Sequence, residues 1–198
     1  MDGVPESAPL SLSKRKRVAN RERIASAAAM LVADSGLAGT TVEQIAEHAE
    51  VGRATFFRYF STKEAAVAEG ISQQWLNRIT EAVADQPEHL SAGAAVVGAF
   101  AELARLAEND DQVRDLANLT RTSPTLSAWT LQVYVGYEKV IAELLAPRFG
   151  DLEPDDPRPR LLGALTMASV RIAVDDWLIS GGSLTDRVRR ALTSVTIQ

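Results

Sequence analysis

The 198-residue chain contains no cysteine. That excludes disulfides, thiolate metal ligands and cysteine nucleophiles, and it fits a reducing cytoplasm. Histidine is nearly absent: His48 and His89 stand far apart in the sequence, so no HxxxH-type metal pair exists. No stretch approaches ~20 uninterrupted apolar residues, which leaves no candidate membrane span. Pro5 and Pro9 precede the first basic run with no apolar segment between, so no signal peptide is expected. A Gly-rich phosphate loop and a GxSxG motif are also missing. Asp175 and Asp176 are adjacent, so they point to different helix faces and make a poor acid–base pair. Nothing here calls for an enzyme, a metal or a cofactor.

What is present is apolar and helical. Hydrophobic residues make up 46% of the chain with few β-branched runs, which predicts an all-α fold with room for a substantial core. The net charge of −5 argues against nucleic acid only if it is evenly spread. It is not. Residues 1–60 carry eight Lys/Arg against seven Asp/Glu, whereas residues 61–198 carry thirteen against nineteen. Lys14, Arg15, Lys16, Arg17, Arg21 and Arg23 concentrate the positive charge near the N-terminus, and a local basic patch is what phosphate attraction requires.

The stretch Thr40–Glu64, TTVEQIAEHAEVGRATFFRYFSTKE, organises the chain. Thr40 and Thr41 are good N-caps, and Glu43 and Gln44 follow each at the capping-box spacing. Val42, Ile45, Ala46 and Ala49 share one helical face. Ala49-Glu50-Val51-Gly52 breaks that helix and Gly52 opens the next. Phe56 and Phe60 can be buried together, leaving Arg53, Ala54, Thr55, Phe57, Arg58 and Tyr59 around the outer side. Ser61 and Glu64 form a further capping box. Two short helices in which the second shows arginine, threonine and tyrosine suit the DNA major groove, the second helix presenting its N-terminal residues to base edges. An ordinary helical hairpin with solvated basic residues is the plain alternative.

Thr41-Val42, Ile45-Ala46, Ala49, Val51, Arg53, Thr55-Phe56, Tyr59-Phe60 and Lys63-Glu64 resemble the DNA-binding motif of the TetR family of bacterial transcriptional regulators. The likeness covers about a quarter of the chain. Three positions depart from it: Glu50 stands where the family usually has glycine, Gly52 where it has serine, and Phe57 where it has tyrosine. The last two substitutions remove hydroxyls that family members use on DNA phosphates. Residue patterns give about nine helices, the number expected of the family; residues 1–13, polar and proline-containing, are expected to be a disordered arm, with a helix-turn-helix domain at 14–62 and an effector-binding and dimerisation domain at 63–198.

The residue patterns supply the remaining expectations. Helices are expected at about 18–35, 63–84, 90–108, up to 121, 125–146, 160–180 and 183–196, with Gly36 stopping the first. Arg53, Ala54, Thr55 and Arg58 are the base-reading candidates, since arginine suits guanine and a threonine methyl can touch thymine. Thr40, Thr41, Phe57, Tyr59 and Lys63 would position the DNA backbone. Lys14, Arg15, Lys16 and Arg17 would act as an arm along phosphates or into the minor groove, or else form a solvated tail. One recognition helix offers few base contacts, so a homodimer on a palindromic operator is expected, with half-sites ~34–36 Å apart. Its surface is expected on the last two helices. There Gly163, Ala164, Ala168, Ser169 and Ala173 allow close approach, and Leu165, Ile172, Leu184, Val188, Leu192 and Val195 supply apolar area. An intramolecular helix pair would use the same residues.

In the body, Trp75, Phe100, Trp129, Tyr134, Tyr137, Met167 and Trp177 are either plain core or the lining of an apolar effector cavity, with Asn118, Arg121 and Arg171 as its polar groups. Leu119–Leu126 with its Arg-x-x-Pro pattern, Arg160-Leu161-Leu162 and Trp177 are similar to effector domains of TetR regulators thought to bind acyl-CoA-like ligands. That likeness implies a long apolar ligand with an anionic head near an arginine. The expected function is an effector-released, homodimeric, cytoplasmic repressor. The rival is a helical small-molecule carrier or enzyme without specific DNA binding.

Overall fold

The structure is a computed structural model that describes residues 11–122 and 124–194. Among these the chain forms nine α-helices, one 3-10 turn at Ala146–Arg148 and no strand. The helices are α1 Leu12–Gly39, α2 Val42–His48, α3 Arg53–Tyr59, α4 Lys63–Ala84, α5 Ala92–Glu108, α6 Asp111–Thr122, α7 Pro124–Leu145, α8 Arg158–Ser180 and α9 Leu184–Thr193. No described helix is long and apolar enough to cross a membrane. The chain divides into two compact units, one ending at Ile71 and the other beginning at Ser72, so the division falls within α4.

In the first unit, α1 begins earlier than the sequence pattern suggests. Ser11 Oγ accepts from Lys14 N–H at 3.4 Å, so Leu12, Ser13 and the whole basic cluster Lys14–Arg17 are helical. Of the expected arm, residues 1–10 lie outside the described residues. Gly36 interrupts α1 at φ +71°, where the stop was expected, because only glycine enters that region without cost.

The two consecutive threonines divide the capping work. Thr41 caps α2: its Oγ1 accepts from Gln44 N–H at 3.2 Å, and Gln44 Oε1 accepts from Thr41 N–H at 2.8 Å. Thr40 is buried, and its hydroxyl donates to Gly36 O at 2.9 Å. At the start of α4 the cap is Thr62, whose Oγ1 accepts from Ala65 N–H at 3.1 Å, in place of the expected Ser61 box.

Ile24, Ala28, Ile45, Ala46, Phe56, Phe60 and Val67 form one core that joins α1 to α4. The turn between α2 and α3 closes with Val51 N–H on Ala46 O and Glu50 N–H on Glu47 O, both at 2.9 Å. This is the Schellman arrangement, and it places residue 50 in the left-handed region. Glu50 is there at φ +51°, which accounts for the glycine usual at this position.

In the second unit, α5 packs on α9, and α8 packs on both α7 and α9. Its core includes Val96, Phe100, Leu103, Ile141, Leu145, Met167, Trp177 and Val188. Several residues of the expected dimer surface turn inward. Leu184, Val188 and Leu192 of α9 and Ser169 and Ala173 of α8 are buried inside the chain. A Cβ at Gly163 would lie 2.3 Å from Glu138 O, so that glycine serves the approach of α8 to α7. Val195 lies outside the described residues. Apolar residues that do face outward include Leu161, Ile172 and Ile179 on α8 and Leu131 and Val135 on α7.

Glu50→Gly is expected to stabilise the protein by about 1 kcal/mol, the cost of a left-handed side-chain-bearing residue. Urea unfolding monitored by circular dichroism measures it; a loss of stability would contradict the turn geometry.

Candidate nucleic-acid interface and effector region

The short α3 sorts its residues as the sequence predicts. Phe56 and Phe60 are buried, whereas Arg53, Ala54, Phe57 and Arg58 are exposed and Thr55 and Tyr59 half-buried. Phe57 meets Phe56 edge-on, with ring centroids 5.3 Å apart at 85°. The Arg53 guanidinium lies 5.6 Å from the Phe57 ring centroid, and its Nε is 3.3 Å from Glu43 Oε1 of α2. Arg58 sits 5.2 Å over the Tyr59 ring. Asn20 donates to Tyr59 Oη at 3.4 Å, and that bond, with the charges of Arg58 and Arg17, lowers the phenol pKa from its ordinary value. The basic start of α1 therefore lies on the same side as the outer face of α3. The helical Lys14–Arg17 segment projects its side chains from one rigid element, which suits contact with phosphates.

Some positive and polar groups that sequence reasoning sent to DNA are spent on holding the head together. Lys63 Nζ donates to Leu37 O and to Thr40 O, both at 2.8 Å, and so ties the end of α1 to α4. Thr40, expected on the DNA backbone, has its hydroxyl turned inward onto Gly36 O, which withdraws it from phosphates. The Thr41 hydroxyl donates to Gln44 Oε1 at 2.9 Å. Arg21 is likewise a fastener: it pairs with Glu69 through both carboxylate oxygens, donates to Tyr59 O at 3.0 Å and lies 4.5 Å over the Phe60 ring. Only the sequence separation of 48 residues to Glu69 hid this pairing.

In the second unit, Phe100, Tyr137, Met167 and Trp177 are core, with Trp75 and Tyr134 packed against them. Tyr137 Oη donates to Ser72 O at 2.6 Å, and burial raises the pKa of both Tyr134 and Tyr137. Beside Tyr134, Arg121 Nε donates to Asp175 Oδ1 at 2.6 Å, and Arg171 approaches Asp175 Oδ2 at 3.7 Å. Two cations thus share one carboxylate, all partly buried. Trp177 Nε1 is buried without a hydrogen-bond partner among the described residues, with Arg114 4.3 Å over its ring. Asn118 is exposed on α6, and Trp129 is half-buried on α7 outside this cluster. A cavity of about 430 Å³ opens elsewhere, between α5, α8 and α9, lined by Val96, Val97, Phe149, Leu162, Leu165 and Leu192 among others. None of the ten expected effector residues lines it, although Leu162 of the Arg160-Leu161-Leu162 stretch does.

Two family profiles match the chain. The one described as bacterial regulatory proteins, tetR family, covers residues 24–69, and the one described as MftR C-terminal domain covers residues 90–197. The HTH-type transcriptional regulator TcmR of Streptomyces glaucescens is 33% identical over 179 residues, spanning 85% of this chain and 77% of its own. Among solved structures, FadR of Thermus thermophilus, a TetR-family transcriptional repressor in complex with lauroyl-CoA, has a TM-score of 0.64 at 23% identity, covering 87% of this chain and 91% of that one. FadR of Bacillus subtilis in complex with stearoyl-CoA has a TM-score of 0.53 at 19% identity, covering 86% and 95%. These two likenesses establish the fold.

Lys63→Met is expected to destabilise the protein by about 1–3 kcal/mol, because two carbonyls lose a charged donor. It should leave the salt dependence of DNA binding unchanged. A salt slope reduced by about one unit, with stability intact, would return Lys63 to the phosphates.

Proposed function

The chain belongs to the TetR family of bacterial regulatory proteins, and from that premise we propose that it is a homodimeric repressor released from a palindromic operator by an apolar effector with an anionic head. It is a DNA-binding transcriptional regulator, not an enzyme. Residues 14–62, with the start of α4 packed on them, are the DNA-binding head, and the rest of 63–198 is the effector-binding and dimerisation body, working in the cytoplasm. The observation that carries the reading is the outer face of α3. A helix anchored by two buried phenylalanines presents Arg53, Ala54 and Arg58 from its exposed side, with Thr55 half-buried beside them. Those four read bases, while Thr41, Phe57, Tyr59 and the Lys14–Arg17 turns follow the backbone.

The second copy docks on α8. Leu161, Leu165, Ala168, Ile172 and Ile179 recur at helical spacing along one stripe, ~27 Å long. Leu161, Ile172 and Ile179 are exposed in the single chain, Ile179 at 83%, and Leu131 and Val135 of α7 are exposed as well. Such a stripe on a soluble protein is the mark of an interface.

The effector's head group belongs at Arg121 and Arg171, where one Asp175 carboxylate serves two guanidinium groups and an anion would find surplus positive charge. Trp75, Phe100, Trp129, Tyr134, Tyr137, Met167 and Trp177, with Asn118, supply the surrounding surface. Release is a population shift: an effector preferring the body conformation that DNA disfavours lowers operator affinity, and DNA lowers effector affinity by the same factor.

Arg53→Ala should weaken binding by ~1–3 kcal/mol at one symmetric base step. Competition among duplexes varied one base pair at a time measures this; equal loss on every duplex would make Arg53 a phosphate contact. Ile172→Arg should yield folded monomers in sedimentation that no longer hold a two-half-site duplex tightly. An intact dimer would remove the α8 stripe from the interface.

A further inference from the structure

We propose that Glu43 is a positioning residue that sets the base preference of Arg53, rather than an acid merely tolerated near DNA. The inference rests on the reading of Arg53 as a base contact. Two acceptable capping boxes are written into Thr40–Gln44, and the structure uses the one made by Thr41 and Gln44. Glu43 is thereby relieved of capping duty, and its Oε1 lies 3.3 Å from Arg53 Nε. The ring of Phe57 lies on the other side of the story: it sits 5.6 Å from the Arg53 guanidinium carbon and is itself fixed edge-on against buried Phe56. Arg53 thus has a carboxylate at ion-pair distance from its Nε, without a hydrogen bond, and an aromatic ring 5.6 Å from its guanidinium carbon. Its two terminal nitrogens make no hydrogen bond among the described residues.

That remaining end of the guanidinium is a two-pronged donor, the shape that matches O6 and N7 of guanine. A free arginine side chain explores many rotamers and can donate to phosphates or to several bases. One drawn toward a carboxylate and a ring gives up part of that freedom before binding, so less is lost on contact with the matching base. The arrangement also carries a cost. A carboxylate beside the groove repels phosphates, so Glu43 trades general affinity for discrimination. Both side chains are more than half exposed, 67% for Arg53 and 61% for Glu43, so the pair is modest in the free protein. It gains strength where DNA displaces the surrounding water. Phe57, standing where the family usually has tyrosine, then has a role that needs no hydroxyl.

The test is a double-mutant cycle on the full chain with wild type, Glu43→Gln, Arg53→Ala and the double variant. Each is titrated against its preferred duplex, against duplexes with every base pair replaced in turn, and against random-sequence DNA. Glu43→Gln is expected to reduce discrimination at the Arg53 base step by about fivefold or less, the range for an exposed pair. Its binding to random DNA should tighten, because a repulsive charge has gone. In the Arg53→Ala background the same change should leave every base preference unaltered. Glu43→Asp, which keeps the charge one methylene shorter, should recover part of the discrimination. The proposal is overturned if Glu43→Gln shifts affinity for all duplexes by one common factor, or if its effect on base preference persists without Arg53. If Arg53→Ala alone alters no base preference, it is the base-reading role of Arg53 that fails, and the positioning role falls with it. Thermal unfolding of each variant identifies any change that comes from lost folding.

Discussion

Everything the head does depends on burying Phe56 and Phe60. The seven-residue helix α3 is far too short to persist alone, since an isolated helix needs ~12–15 residues even to be marginal. Its stability comes from the core it completes with Ile24, Ala28, Ile45, Ala46 and Val67. Each fully buried phenylalanine contributes about 1.5–3 kcal/mol, more than the ~0.5–1.5 kcal/mol of any single local hydrogen bond. Because the two rings lie one turn apart, their burial also fixes the rotation of the helix. Arg53, Ala54, Phe57 and Arg58 are left outside as a geometric consequence. Fasteners then secure the frame: Arg21 to Glu69 and Tyr59, and Lys63 to the two carbonyls that end α1.

This distribution of work explains which features could be read from the sequence. The head was legible almost residue by residue, because capping, apolar spacing and turn chemistry are local. Glu50 at a glycine position was visible as an oddity, and its positive φ supplies the reason. What stayed hidden was the destination of long side chains. Lys63 and Thr40 are polar residues beside a DNA motif, and nothing local says that an ammonium group will reach back 26 residues to Leu37 O. The same limit applied to the body. Helix α9 is strongly amphipathic, and the sequence tells that one side is buried without telling whether the cover is α5 of the same chain or a second copy. The aromatic residues of the body could likewise be identified as inward-facing, while the separate cavity between α5, α8 and α9 arises from how three distant segments fail to close.

Charge follows the same logic at larger scale. The acidic balance of the chain belongs to its body, where Asp175 shares two arginines and many other acids are solvated. The positive residues that remain exposed in the head stand on the first turns of α1 and on α3. An overall net charge of −5 therefore coexists with a face suited to phosphates. In the body, Arg121 and Arg171 share the single Asp175 carboxylate, and the proposal of an anionic effector rests on that pattern.

The measurement that bears most directly on this account is selection of random duplex DNA by the purified protein at near-physiological salt. The account predicts enrichment of a palindrome whose half-sites lie about one helical turn apart, each carrying a guanine at a fixed place for Arg53. Recovery of no common sequence, with binding that merely weakens as salt rises, would contradict it: α3 would then be a phosphate-binding helix, and the protein would have no operator of its own.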